Sequence, residues 1–242
     1  MRKLTKYLVG MAAVFALAAG YSLKAGAVPT CASLTGTGAG GQLTYADLAA
    51  TDSSGGCTID DKTFSDFLIS GDLTAGQIII QQIVSTPSLD GFIFQFGLTA
   101  NSGQTVDFSL LYNVTCEATN PNCITSAHIA VTGGVSGGGS FGVDETLCEN
   151  DSYLTCANGS ESLSVGNPGS STAQIGFNPG LTELGYIKDI NASCSGLTDC
   201  RASISVLTNT VDQTQRTPEP ATLALMGLGL AGLGAFRRRK AS

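Results

Sequence analysis

The chain has 242 residues, with 12 Lys and Arg against 19 Asp and Glu, eight cysteines, one histidine and no tryptophan. Between residues 28 and 217 it carries 18 acidic and 4 basic side chains, which gives this body a formal charge of −14. Because phosphate binding requires clustered Lys and Arg, we expect no nucleic-acid partner.

The N-terminus has the three parts of a secretory signal peptide. A basic region is followed by an apolar run over residues 7–20, and then by Ala25 and Ala27 in a small-x-small cleavage pattern. The basic residues are Arg2, Lys3 and Lys6. A permanent membrane anchor is disfavoured because the apolar run is short. We therefore predict that residues 1–27 are a helical signal peptide and that the chain is exported.

The eight cysteines predict four disulfides, since an even number in a secreted chain is typical of a disulfide framework. About 105 pairings are formally possible. Local spacing favours four neighbouring pairs. These are Cys31 with Cys57, Cys116 with Cys123, Cys148 with Cys156, and Cys194 with Cys200. No C-x2-C cluster typical of a metal site occurs, so we predict no metal and no cofactor.

The first part of the body contains the single predicted helix and an acidic turn. Residues 43–50 predict a short helix with Thr44 as its N-cap. Further on, Asp60, Asp61 and Asp66 offer hard oxygen ligands that suit calcium. The twelve-residue spacing of an EF-hand is missing, so the favoured interpretation is a solvated acidic turn that opens a strand.

Seven short runs rich in Ile, Val, Phe, Tyr and Thr then follow, separated by Gly, Pro, Asn and Ser. They cover residues 77–84, 92–98, 105–114, 127–132, 173–177, 185–190 and 202–207. Their alternation, without intervening helices, predicts an all-β fold, an antiparallel β-sandwich over residues 28–207. Phe92, Phe94 and Phe96 are expected on one face.

Three segments between or after these runs are predicted to be irregular. The glycine-rich residues 132–142 predict a flexible loop or a bulged hairpin, and residues 145–168 predict a second loop. Paired acids such as Asp144 and Glu145 are expected to be solvated. The polar residues 208–217 predict a linker.

One motif suggests catalysis, but its context argues against it. Residues 134–138 fit the G-x-S-x-G pattern of a hydrolase nucleophile elbow. That elbow requires a strand-to-helix turn and a histidine after the serine, whereas His128 precedes it. His128 is expected to project from a strand opposite to Ile129. We predict no catalytic residue.

The last 25 residues, 218–242, have the features of a second targeting signal, after the N-terminal signal peptide. Pro218, Glu219 and Pro220 give an extended triplet. Residues 221–236 are uncharged and would measure about 24 Å as a helix, and flanking side chains can close the gap to a hydrocarbon core of about 30 Å, so we predict a transmembrane helix there. A basic quartet follows, which by the positive-inside rule stays cytoplasmic and stops transfer. Its members are Arg237, Arg238, Arg239 and Lys240.

This tail resembles the PEP-CTERM sorting signal, with its Pro-Glu-Pro triplet, short membrane segment and terminal Arg cluster in order. A stretch at Cys57, Asp61, Lys62, Phe64 and Phe67 resembles a motif near the start of β-rich PEP-CTERM proteins. The resemblance implies an exosortase-like membrane enzyme as a partner. It also implies a passage through the cell-envelope membrane to the cell surface or an exopolysaccharide matrix.

The sequence therefore predicts a secreted, non-enzymatic surface protein, with exopolysaccharide as a candidate partner. An alternative is that the β domain binds carbohydrate, calcium or an ice-like surface. A surface hydrolase is a third class, for which the required side chains cannot be assembled from the sequence.

Overall fold

A computed structural model describes residues 28–84, 89–117, 120 and 122–213. The predicted signal peptide with Ala25 and Ala27 lies outside the described residues. So do residues 214–217 of the predicted linker and the predicted sorting signal. The sorting-signal residues concerned are Pro218, Glu219, Pro220, the segment 221–236, Arg237, Arg238, Arg239 and Lys240. No helix in the described ranges is long and apolar enough to cross a membrane.

Eleven strands make up most of the described chain. They are β1 Cys57–Ile59, β2 Lys62–Gly71, β3 Ile79–Val84, β4 Leu89–Asn101, β5 Thr105–Cys116, β6 Ile124–Ser136, β7 Ser140–Glu149, β8 Ser160–Asn167, β9 Thr172–Leu181, β10 Glu183–Ser193 and β11 Arg201–Gln213. Sheet A has the order β1-β2-β5-β10-β7-β8, and sheet B has the order β3-β4-β11-β6-β9. All neighbouring strands pair antiparallel. The predicted antiparallel β-sandwich is confirmed.

The core lies between the two sheets and is rich in aromatic rings. Phe92, Phe94 and Phe96 point inward from β4, as their alternation predicts, and the first two are fully buried. Phe92 meets Phe64 edge to face at 4.9 Å between ring centroids. Burying each such ring stabilises the fold by roughly 1.5–3 kcal/mol.

The predicted helix is present as α1, Tyr45–Ala49. Thr44 caps it, and Asp47 completes a capping box by accepting a hydrogen bond from the Thr44 amide at 2.8 Å. Asp47 also accepts hydrogen bonds from the amide and hydroxyl of Thr37. The helix therefore ties the N-terminal lead-in to the sandwich.

All four disulfides join the neighbouring cysteines that the spacing favours. Three of them close short loops of 6 to 8 residues at strand ends, and Cys31–Cys57 closes a loop of 26 residues. The short ones are Cys116–Cys123, Cys148–Cys156 and Cys194–Cys200. Their common position is at connections between strands, and Cys194–Cys200 spans the passage from β10 in sheet A to β11 in sheet B.

The glycine-rich residues 132–142 are neither a flexible loop nor a hairpin. Their first part continues β6, and Gly137 and Gly138, both with positive φ, turn the chain from sheet B to β7 in sheet A. A Cβ at Gly137 would lie 2.2 Å from the carbonyl oxygen of Asp199. Glycine is needed here because the turn packs directly against another backbone segment.

Two other predictions of irregular structure are wrong in part. Most of residues 145–168 belongs to β7 and β8, and the polar residues up to 213 belong to β11. β8 is an edge strand in which Leu163 and Val165 are the buried residues, so its serines face outward. In β11 the buried alternate positions include Asn209, a polar residue, which conceals the strand pattern.

Candidate functional site

A depression on the outer face of sheet B is the first candidate binding site, and we call it the sheet B groove. It has a volume of about 550 Å³. Its lining residues are Leu89, His128, Ile129, Ala130, Thr172, Ala173, Gln174, Thr208, Thr210 and Asp212. Because inward and outward positions alternate, β6, β9 and β11 each contribute polar outward side chains. The arrangement offers hydrogen-bonding groups on a firm sheet surface.

His128 lies in this groove with about a third of its side chain exposed, at 31%, and on the face opposite to buried Ile129, as predicted. Its Nε2 lies 2.9 Å from Asp212 Oδ2 and 2.8 Å from Ser126 Oγ. Ser126 also donates to the same Asp212 oxygen at 2.6 Å. A Ser-His-Asp relay requires Ser and Asp on different ring nitrogens. Here both meet Nε2, so this network holds the imidazole in place instead of activating the serine.

The G-x-S-x-G motif does not form a nucleophile elbow. Ser136 is the last residue of β6, and the chain continues through a turn into β7. Eight residues along the same strand separate it from His128, a distance of about 27 Å. The structure therefore does not bring the motif and the histidine together.

The predicted acidic turn contains a buried ion-pair cluster, which we call the Lys62 cluster. Lys62 Nζ lies 2.8 Å from Asp61 Oδ1 and 3.0 Å from Asp90 Oδ2, and all three side chains are inaccessible to solvent. Burial raises the pKa of Asp90, and the contact with Lys62 opposes that rise only partly. Asp61 is thus buried, and the expectation of a solvated turn is wrong for it.

Asp60, Asp61 and Asp66, the aspartates considered as calcium ligands, do not come together as a set. Asp60, Asp61 and Asp90 have carboxylate oxygens within 4.8 Å of one another. Asp66 instead accepts a hydrogen bond from Asn113 Nδ2 at 2.8 Å. The ammonium of Lys62 supplies positive charge to the cluster, in the manner of a bound cation.

A third polar feature, the interior triad, consists of Lys188, Glu145 and Asn209 between the two sheets. Lys188 and Glu145 are directly paired across β10 and β7, and Asn209 faces them from β11. Glu145 Oε2 contacts Lys188 Nζ and accepts a hydrogen bond from Asn209 Nδ2 at 3.0 Å. None of the three is more than 2% exposed.

Tyrosines surround the triad. Lys188 Nζ lies 4.4 Å from the ring centroid of Tyr186 and 5.5 Å from that of Tyr112, whose hydroxyl donates to Asn209 Oδ1. Burial lowers the pKa of Lys188 well below its ordinary value. Among the described residues, Glu145 Oε1 and the Tyr186 hydroxyl have no hydrogen-bond partner.

The sequence interpretation missed the triad because it placed Glu145 with Asp144 in a solvated loop. Asp144 is indeed outward, but Glu145 is only 1% exposed in β7. The sequence does indicate that Lys188 points inward, because it lies two residues from Tyr186 and two from Ile190, which are both buried on the same face of β10. A lysine at an inward position of an apolar strand needs a partner inside.

Comparison with protein-family models gives a match in the C-terminal tail. Residues 216–240 match the family model described as the PEP-CTERM protein-sorting motif. A search of curated proteins found no match.

Two solved structures share limited similarity with the chain. TmCBM61 in complex with β-1,4-galactotriose is 11% identical with a TM-score of 0.30, over 60% of this chain and 88% of that one. The enzymatically active domain of bacteriophage CBA120 tailspike protein 4 is 10% identical with a TM-score of 0.25, over 64% of this chain and 20% of that one. Scores this low carry no argument about function.

The match to the tail covers the triplet, the uncharged segment and the basic quartet. Such a motif implies export, targeting to the cell surface and processing by an exosortase. The chain therefore carries a PEP-CTERM protein-sorting motif at residues 216–240.

Proposed function

We propose that this chain is a non-enzymatic structural protein of the bacterial cell surface or of an exopolysaccharide matrix. The observation that carries the proposal is the sorting motif that follows closely on a disulfide-stapled sandwich. Strand β11 ends at Gln213, three residues before the matched motif begins. Four disulfides suit an oxidising compartment outside the cytoplasm.

Each part of the tail has a role in this proposal. The triplet around Glu219 is the element that an exosortase-like enzyme recognises. The segment 221–236 holds the protein in the membrane until processing, after a signal peptide at residues 1–27 has directed export. The basic quartet 237–240 fixes the orientation, because Lys and Arg remain on the cytoplasmic side.

Replacing the basic quartet tests the orientation role. Four serines at residues 237–240 should reduce membrane retention and leave unprocessed chain, whereas four lysines should preserve both retention and processing. The readout is the mass of the protein recovered from cells and from medium. Equal processing of both variants would contradict the role given to the charges.

Replacing the triplet tests recognition separately. A Pro218→Ala, Glu219→Gln, Pro220→Ala variant keeps the apolar segment and the basic quartet. We expect it to accumulate in the membrane fraction with its tail attached. Release of a trimmed body at the normal rate would overturn the proposal that the triplet is recognised.

A second candidate function, carbohydrate binding, is favoured by the sheet B groove. Its polar groups converge on a surface depression, and His128 is held in position by Asp212. Sugars present hydroxyls that pair with such groups. A His128→Ala, Gln174→Ala variant should bind the host's exopolysaccharide about tenfold more weakly, a loss of about 1.4 kcal/mol.

The matched control for this test is Ser109→Ala. Ser109 lies on β5 in sheet A, where its neighbours Phe108 and Leu110 point into the core and it points outward. This variant should bind the polysaccharide as the unaltered protein does. Equal binding by the groove variant and the control would remove the carbohydrate proposal and leave the structural role unaffected.

A further inference from the structure

We propose that Lys188 and Asn209 form an intramolecular isopeptide bond that joins sheet A to sheet B, with Glu145 as the group that transfers protons. The bond would link Lys188 Nζ to Asn209 Cγ and release ammonia. This proposal concerns the interior of the sandwich and does not depend on the sorting motif or on the sheet B groove.

The first support is the placement of the two reacting groups. β10 is an interior strand of sheet A and β11 is the central strand of sheet B. Lys188 extends from one and Asn209 from the other, and both meet the same oxygen of Glu145. An amine and a primary amide are therefore neighbours at one carboxylate, so that a reaction between them needs no diffusional encounter.

The second support is the state of the amine. A lysine amine is a nucleophile only when it is neutral, and removal from water favours the neutral form. Lys188 is completely buried, with its Nζ close to the faces of Tyr112 and Tyr186. It makes no hydrogen bond of regular geometry with the described residues, although it is in ion-pair contact with Glu145. Glu145 can accept the proton that the ammonium must lose.

The third support is the environment of the amide. The Tyr112 hydroxyl donates a hydrogen bond to Asn209 Oδ1, where negative charge develops when the carbonyl carbon is attacked. Burial raises the pKa of Tyr112 well above its ordinary value, so the hydroxyl remains a donor. Asn209 Nδ2 donates to the His128 carbonyl oxygen at 3.0 Å and to Glu145, which orients the amide plane.

The reaction balances with groups already present. Glu145 removes a proton from the Lys188 ammonium, and the amine lone pair attacks Asn209 Cγ. The tetrahedral intermediate carries its oxyanion at Oδ1, facing Tyr112. Glu145 then delivers that proton to Nδ2 and takes the second proton from Nζ. The Cγ–Nδ2 bond breaks, a neutral amide remains between Nζ and Cγ, and the departing ammonia accepts the second proton from Glu145 and leaves as ammonium. No oxidant, reductant or metal is required.

The Lys62 cluster shows why the proposal is specific to Lys188. Lys62 Nζ makes hydrogen bonds to two carboxylates, of Asp61 and Asp90, which stabilise it as an ammonium. Lys188 meets a single carboxylate, and replacing its charge with a neutral amide removes the cost of burying that charge. Lys62 therefore serves as an internal control in the same chain.

The test is the intact mass of the folded full chain with its disulfides formed. We expect the mass to be lower by one ammonia, about 17 Da, than that of the same processed chain with four disulfides. After denaturation, reduction and alkylation, trypsin should cut after Lys62 but not after Lys188. Peptide 202–216 should then be recovered covalently attached to peptide 63–201.

Two variants give independent readouts. N209D should lose water in place of ammonia, so that its final mass equals that of the linked unaltered chain. E145Q should form its disulfides but show the unlinked mass, because the proton-transfer group is absent. If E145Q does not fold, the result for the unaltered chain and N209D still decides the matter.

Two results would overturn the proposal. One is the full unlinked mass in folded protein that contains all four disulfides, with free peptide 202–216 in the digest. The other is loss of water with Lys188 attached to Glu145, which would reject Asn209 as the electrophile.

Discussion

Removing the Cys31–Cys57 disulfide should destabilise the sandwich more than removing any of the three others. In the chain-entropy account, a disulfide stabilises the fold by restricting the unfolded chain, and the effect grows with the loop that it closes. Cys31–Cys57 closes 26 residues, whereas Cys194–Cys200 closes 6. The two bonds therefore form a matched pair that differs mainly in loop length.

The magnitudes follow from these loop lengths. At 25 °C the longer loop corresponds to about 3.5 kcal/mol of stabilisation and the shorter loop to about 2.2 kcal/mol. Burial contributes little to this difference in stabilisation, because the four cysteines of the two bonds are at most 5% exposed. The expected gap of about 1.3 kcal/mol corresponds to roughly a ninefold difference in the unfolding equilibrium constant.

The assay is urea unfolding of two double variants, Cys31→Ser with Cys57→Ser and Cys194→Ser with Cys200→Ser, each with its other three disulfides intact. The midpoint should fall further for the first variant, and the slope m should rise in both, because each unfolded chain expands. A larger loss of unfolding free energy in the Cys194 and Cys200 variant than in the Cys31 and Cys57 variant would refute the loop-entropy reasoning. Native contacts at the β10–β11 connection would then outweigh the restriction of the unfolded chain.

Three further predictions concern single positions. Lys62→Met should lower the free energy of unfolding by about 3–5 kcal/mol at neutral pH, since it leaves buried carboxylates without their ammonium. Burial raises the pKa of Asp90, so this loss of stability should shrink as pH falls and Asp90 becomes protonated. Partial burial favours a higher pKa for Asp47, but its hydrogen bonds outweigh this effect and lower the pKa. The Asp47 carboxylate therefore stabilises the fold fully above the pKa of the unfolded state, and this stabilisation is lost as pH falls through the pKa of the folded state. Asp47→Ala should therefore cost about 1 kcal/mol at neutral pH and little in acid, as measured by urea unfolding. Gly185→Ala should cost about 1–3 kcal/mol in the same assay, because its Cβ would lie 2.2 Å from the Tyr153 amide nitrogen.

The sequence predicts the fold best where apolar residues alternate. Phe92, Phe94 and Phe96 identify both a strand and its inner face, and the disulfide pairing follows from local spacing. β8 and the end of β11 were missed because few of their residues are apolar. Their strand conformation comes from pairing with neighbours already in the sheets, which local preference does not reveal.

The interior triad shows a different limit of sequence reasoning. The alternation of β10 can indicate that Lys188 points inward, but its partner Glu145 is about 40 residues away in the chain and Asn209 belongs to the other sheet. Only the packing of the two sheets brings them together.

The surface of the protein has few positive charges. The body between residues 28 and 217 has 4 basic residues, and both Lys62 and Lys188 are fully buried. Lys62 is buried with Asp61 and Asp90, and Lys188 is buried with Glu145. These two clusters nearly cancel in charge and leave 15 acidic against 2 basic residues in the rest of the body, so the outer surface is strongly acidic, which favours solubility and repels anionic polymers. A polysaccharide held by the sheet B groove should therefore be neutral, because an anionic chain would meet Asp212 and a negative field around it.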